Sequence, residues 1–151
     1  IKVNNLEEPD FINLLYKAGH AGVKINLIVR SICCIVPGIP GESNNITVKR
    51  IIDRYLEHSR ILIFGTDENA EVLMGSADLM TRNLRHRIEV YVTIKNQQCK
   101  RELLEYFKIQ WRDNDKAVML LPGFRQERIN EGNATTLNAQ QSIYNFLEMK
   151  Q

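Results

Sequence analysis

The sequence predicts an α/β fold, a mixed β-sheet flanked by α-helices, and three observations carry that prediction. Short apolar runs rich in β-branched residues, at 23–30, 61–64 and 72–74, alternate with longer stretches whose apolar residues recur every three or four positions. A helical stretch from Asp10 leads within a few residues into the run at 23–30, the connection of a βαβ unit, which calls for a parallel strand pair and a right-handed crossover. The turn at 65–69 instead folds 61–64 back against 72–74 as an antiparallel hairpin, so the sheet is mixed. At 151 residues and 44% hydrophobic content, one domain spanning 1–151 with a single sizeable core is expected.

Residues 1–5 read as a short strand, closed by Glu7, Glu8, Pro9 and Asp10, whose acids suit the positive end of a helix. Phe11, Ile12, Leu14, Leu15 and Ala18 then form an apolar stripe, and Gly19 or Gly22 ends that helix. The strand 23–30 terminates in Arg30. Residues 31–41 contain Pro37-Gly38 and Pro40-Gly41, a stiff loop at the carboxyl end of a strand, where ligands bind in open α/β sheets. Residues 46–52 are extended, 53–58 read as a helical turn, and 60–64 as a buried strand with a hairpin partner at 71–75. Residues 78–84 form a turn or short helix, and alternation over 87–94 predicts a half-buried strand. Residues 96–111 are a helix with Cys99, Leu103, Leu104, Phe107 and Trp111 on its apolar face. A last strand at 116–121 precedes a polar loop, 122–136, and a closing helix at 137–149 turns Leu137, Ile143, Phe146 and Leu147 inward.

Twenty basic and 18 acidic side chains leave a formal charge of +2, too weak a field for general nucleic-acid or membrane affinity. Any anion site is therefore local, and no nucleic-acid partner is expected. Three cysteines, two of them adjacent at Cys33-Cys34, give no disulfide framework, and three scattered histidines give no structural zinc site. Buried thiols in a cytosolic protein are the expectation. No apolar run reaches the length of a membrane span. The chain opens at Ile1 without a Met, straight into a strand, and reads as a piece of a longer protein.

The chemistry is expected around 54–64. His58 and Arg60 stand at the entrance of one strand, Arg30 ends another, and Ser76, Asp78 and Arg82 follow a third. If those strands are neighbours, the six side chains converge on one edge of the sheet as a phosphate-handling set. A His titrates near neutral pH, an Arg fork grips two phosphate oxygens, and the short residues at 75–78 let a ligand approach the backbone. Each has a plain alternative: an exposed His at a helix end, a solvated cation at a strand end, a tight exit from a strand. At least one of Arg60, Arg82, Arg85 and Arg87 is expected to pair with Asp78 or Glu89 in a structural salt bridge.

Together these residues resemble the last catalytic domain of the polyphosphate kinase family, whose fold is similar to phospholipase D. The matching text is Ala21-Gly22-Val23-Lys24-Ile25, Leu27-Ile28-Val29-Arg30, Cys33, Val36-Pro37-Gly38, Glu42-Ser43 with Asn45-Ile46, Leu56-Glu57-His58-Ser59-Arg60-Ile61, Ser76-Ala77-Asp78 and Met80-Thr81-Arg82-Asn83-Leu84, with Ala139-Gln140 and Tyr144 near the end. The resemblance covers nearly the whole chain. It implies a phospholipase D-like mixed β-sheet flanked by α-helices, and a parent enzyme that reversibly moves the terminal phosphate of ATP onto inorganic polyphosphate. The implied route is a phosphohistidine on the preceding domain, with Mg²⁺ whose ligands lie outside this chain. Arg30 and His58 are implied to contact the ATP phosphates, with His58 as the catalytic acid or stabiliser of the leaving oxygen. Arg60, Ser76, Asp78 and Arg82 are the supporting residues, and no metal ligand is assigned.

The implied partners are ATP and ADP, polyphosphate, the preceding domains of the same polypeptide and, for the parent, further copies in a homo-oligomer. The implied location is the cytoplasm, with peripheral membrane attachment of the parent left open. Lacking the nucleophile, the chain alone is expected to be inactive. It departs from the family pattern at Ser31, where Gly is usual, at Leu79, where Trp is usual, and at 65–70, where a His-Asn-Gly-rich turn is usual. These departures are expected on loop rims. A phospholipase D-type phosphodiesterase would need a Lys at Arg60 and an Asp at Gly65, and a non-catalytic polyanion-binding module fits poorly with the near-neutral charge.

Overall fold

The computed structural model describes residues 1–129 and 135–149, apart from the Glu68 side chain. The strands are β1 (Lys2–Val3), β2 (Ile25–Val29), β3 (Ile46–Ile51), β4 (Arg60–Phe64), β5 (Glu71–Gly75), β6 (Tyr91–Thr93), β7 (Ala117–Leu121) and β8 (Arg125–Arg128). They form one mixed sheet in the order β6-β5-β4-β1-β2-β3-β7-β8. The helices are α1 (Pro9–His20), α2 (Thr81–Arg85), α3 (Gln97–Trp111) and α4 (Ala139–Glu148). The expected parallel pairing of β1 with β2 and the antiparallel β4–β5 hairpin are both present.

Each face of the sheet buries its own apolar set, which is why the strands alternate. Val3, Leu27, Val29, Ile46 and Val48 pack against Ile12 and Leu15 of α1. On the opposite face Ile61 and Val72 meet Leu104 of α3, while Ile28, Ile51 and Ala117 meet Phe107 and Trp111. The α4 helix forms an outer layer, its Ala139 and Ile143 against Ile109 of α3. Asp113 fastens that layer: fully buried, it accepts the backbone N–H groups of Lys116, Ala117 and Ala139 at 2.7, 2.8 and 2.7 Å. One carboxylate thereby joins the end of α3 to the starts of β7 and α4.

At α1, Pro9 occupies the first turn and Glu8 caps the helix, its Oε2 accepting the Phe11 N–H at 2.7 Å. The helix stops at Ala21, and Gly22 follows with φ 90°, the left-handed conformation glycine adopts without a Cβ clash. Leu14, expected in the stripe, is exposed instead.

Other expectations are corrected. Residues 53–58 form no helical turn, because the Tyr55 N–H and carbonyl are both bonded across to the Gln140 side chain of α4, at 3.0 and 2.8 Å. The strand expected over 87–94 shrinks to β6, an edge strand whose Val92 is exposed, as are Ile88 and Val90 before it. Part of the expected loop 122–136 is strand: left-handed Gly123 and Phe124 reverse the chain into β8, whose Arg-Gln-Glu-Arg sequence is exposed and carries no apolar alternation. Residues 130–134 of that loop lie outside the described residues. Leu147 and Cys99 are exposed rather than inward. The cysteines are all free, but only Cys33 is partly covered, where burial pushes its thiol pKa up; Cys34 is exposed.

Candidate functional site

The candidate side chains meet because β1 lies between β2 and β4. Strand β1 runs parallel to β2, β4 runs antiparallel to β1, and β5 antiparallel to β4. The carboxyl ends of β1, β2 and β5 and the amino end of β4 therefore share one rim. Of the three strands flagged by sequence, β4 and β5 are direct neighbours, but β1 intervenes between β2 and β4, and β1 with the residue after it adds two rim residues that the sequence reading missed, Lys2 and Asn4. Neither carried a signal: an Asn and a Lys in a short terminal strand look solvated until their neighbours are known.

Asn4 is the connector. Its side-chain oxygen accepts from Arg30 Nε at 2.9 Å, and its backbone N–H donates to Asp78 Oδ1 at 2.8 Å. Asp78, buried, also accepts from the Asn5 backbone at 3.2 Å and the Asn5 side-chain amide at 2.9 Å. Arg60 completes the set with two bonds to Asp78, Nε to Oδ1 at 3.2 Å and Nη2 to Oδ2 at 3.1 Å. Burial alone would raise the Asp78 pKa, but Arg60, the Asn5 amide and the two backbone N–H groups together hold it below the ordinary carboxylate range.

Arg30 is anchored through Nε only, so Nη1 and Nη2 have no partner among the described residues, and the fork remains open to a planar bidentate acceptor. Arg60 is differently placed. Besides Asp78, its Nη1 donates to the His58 carbonyl at 2.9 Å and lies 2.9 Å from His58 Nδ1, with Nη2 3.3 Å from Nε2. A guanidinium only donates, so the nearer ring nitrogen, Nδ1, accepts, and a neutral His58 then carries its proton on Nε2. Arg60 thus buttresses His58 and is neutralised by Asp78, while the exposed His58 ring is presented at the rim.

The segment carrying His58 is held from below. Glu57 accepts from Tyr106 Oη at 2.6 Å, from Gln110 Nε2 at 2.8 Å and from Gln140 Nε2 at 3.3 Å. Lys2, buried in β1, donates to the carbonyls of Glu57 and Ser59 at 3.3 and 3.1 Å. Burial pushes the Lys2 pKa down to about 8; Glu57 opposes the shift, while Arg60 and Arg30 add to it.

Two supporting residues are placed elsewhere. Ser76 turns to Glu89, donating to Oε2, and Glu89 also accepts from Asn83 at 2.6 Å. Arg82 lies exposed on α2 and makes no side-chain bond among the described residues. The close approach that Gly75 permits is used by the protein itself: an added Cβ would lie 2.6 Å from Tyr91 Cγ. The expected pairing of one arginine with Asp78 is made by Arg60, while Arg85 pairs with Glu8 at 3.0 Å and Asp10 at 2.6 Å. A groove of about 370 Å³ runs along α3 past Asp67, Lys100, Arg101 and Phe146, and no rim residue lines it. Chemistry, not volume, singles out the rim.

Residues 1–140 match the family model described as polyphosphate kinase C-terminal domain 2. The chain belongs to the polyphosphate kinase C-terminal domain family. It is 41% identical over 148 residues to a polyphosphate kinase of Vibrio cholerae, covering 98% of this chain and 21% of that protein. The polyphosphate kinase of Lactiplantibacillus plantarum is 41% identical over 140 residues, with 93% of this chain and 20% of the relative covered. A crystal structure of polyphosphate kinase from Porphyromonas gingivalis superposes with a TM-score of 0.94 at 42% identity, over 99% of this chain and 23% of that one. The chain therefore spans about a fifth of the length of these relatives.

Of the departures from the family pattern, Leu79 is corrected in place. It is buried in the α1 core, not on a rim, and its carbonyl accepts from the Glu7 and Glu8 N–H groups at 2.8 and 3.0 Å. Ser31 is exposed beside the rim, its N–H donating to the Asn4 carbonyl at 2.7 Å. The 65–70 turn is at the opposite end of the β4–β5 hairpin from Arg60 and Gly75.

Proposed function

We propose that this chain is the C-terminal part of an enzyme that reversibly transfers the terminal phosphate of ATP to inorganic polyphosphate, through a phosphohistidine carried by a preceding domain. The observation that supports it most is the strand-end rim, where Asn4 and Asp78 tie Arg30, Arg60 and His58 into one hydrogen-bonded set. In this reading the open Arg30 fork binds two phosphate oxygens, and the His58 Nε2 hydrogen is offered to the oxygen that leaves as the phosphate moves to the nucleophile. Arg60 stays bonded to Asp78 and His58, adding positive charge and fixing the ring without leaving its partners. Binding partners are ATP, ADP and polyphosphate, with the rest of the polypeptide and further copies completing a cytoplasmic enzyme.

The Mg²⁺ that accompanies ATP is not fitted by this rim. Both Asp78 oxygens are bonded to donors, Glu89 is bonded to Ser76 and Asn83, and no cluster of three or more metal-ligating side chains occurs among the described residues. Among the described residues no helix is long and apolar enough to cross a membrane.

The test is phosphoenzyme mapping. Full-length enzyme incubated with ATP labelled in its terminal phosphate should yield label on a histidine outside residues 1–151, and this chain alone should make no polyphosphate. Label on the peptide carrying His58 would overturn the assignment of roles.

A further inference from the structure

His58 lies in the irregular segment between β3 and β4, and among the described residues only Arg60 is bonded to its ring, through Nδ1. An exposed ring on irregular backbone would sample many orientations, yet the residues on either side of it are each held twice. Tyr106 Oη meets Glu57 Oε2 at 2.6 Å and Ser59 Oγ at 3.0 Å. Lys2 Nζ meets the Glu57 carbonyl at 3.3 Å and the Ser59 carbonyl at 3.1 Å. One phenol from α3 and one ammonium from β1 therefore straddle the same residue, each touching the position before it and the position after it. Both come from rigid elements, and two fixed points across three residues leave the backbone of His58 little freedom.

We propose that Tyr106 and Lys2 are positioning residues that set where the His58 imidazole stands relative to Arg30 and the bound phosphate. The inference rests on the reading of His58 given above. It assigns neither residue a contact with substrate. Loss of either anchor misplaces a group whose usefulness depends on sub-ångström alignment.

The test uses the full-length enzyme and two mild variants. Tyr106→Phe should lower kcat about tenfold while KM for ATP stays within about twofold, the split expected when only the transition-state interaction is lost. Ser59→Ala, which removes one hydroxyl and nothing else, should lower kcat in the same direction and serves if Tyr106→Phe fails to fold. In a His58→Ala background neither change should lower kcat further, because the positioned group is gone. The proposal is overturned if Tyr106→Phe and Ser59→Ala both keep wild-type kcat, or if their losses persist undiminished in the His58→Ala background, which marks a structural role. A fully active His58→Ala enzyme would instead refute the role of His58 itself and this inference with it, a result seen before Tyr106 is touched.

Discussion

Arg60 and Asp78 meet as a two-pronged pair, Nε to Oδ1 and Nη2 to Oδ2, at 3.2 and 3.1 Å, across the ends of β4 and β5. Both side chains are largely shielded, and Asp78 also holds the chain at Asn4 and Asn5, so the pair joins β4 to the connection leaving β1. Removing one partner leaves an uncompensated charge out of water, which costs more than the pair itself contributes.

Asp78→Ala should therefore destabilise the fold by about 3 kcal/mol or more, seen as a lowered urea midpoint with the slope unchanged. The wild-type pair should also fail in acid. The Asp78 pKa lies below its usual 3.8, so its contribution is full above that value and is lost as pH falls through the depressed folded-state pKa. A variant whose acid unfolding matches wild type would contradict this.

Lys2 acts in the opposite pH range. Its pKa is about 8 in the fold against 10.5 ordinarily, so between those values the unfolded chain binds more protons and stability rises with pH. The cost of burying the ammonium is fully present below about pH 8 and fades above it. Cys33, whose thiol pKa is raised by burial, acts against this where an unfolded thiol ionises, near pH 9, and Tyr91, pushed up to about 12, and Tyr106, also raised, do so where an unfolded phenol ionises, near pH 10. Denaturant unfolding scanned from about pH 8 to pH 10 should show the rise in wild type and a flatter profile in Lys2→Met.

Arg30→Lys keeps the charge and loses the fork. In the full-length enzyme kcat/KM for ATP should fall about tenfold or more, roughly 1.4 kcal/mol of transition-state stabilisation, with the melting temperature near wild type. Unchanged kinetics would make Arg30 a solvated strand end.

His58→Ala should lower kcat by a factor of about 10² to 10⁴, the range of a positioned acid–base group. Folding should survive, because the ring is exposed and little cavity is left. His58→Gln should recover part of the loss if hydrogen bonding matters more than proton transfer. A near-normal rate with a lowered melting temperature would make His58 structural.

Much of the fold was legible because burial writes itself into periodicity. The α1 helix, a β2 strand within 23–30 and the β4–β5 hairpin all appear where apolar spacing put them, since each element buries one face or both, though Leu14 of the stripe and Val23 of the run are exposed. Where an element is exposed, that signal vanishes. Strand β8 has no apolar residue to announce it, and Val92 of β6, like Val90 just before the strand, is exposed at a sheet edge.

The sequence by itself determined the fold class, the family, and which residue types end each strand: Arg30, His58, Arg60 and Asp78 are all found at one rim. Tertiary structure alone decided their partners. It inserted β1 between β2 and β4, made Asn4 the link between Arg30 and Asp78, turned Ser76 toward Glu89, left Arg82 exposed, and brought Tyr106 and Lys2 beneath His58. The reason is that periodicity reports the face a side chain occupies, whereas hydrogen bonds between residues dozens of positions apart depend on strand order, which no local pattern encodes.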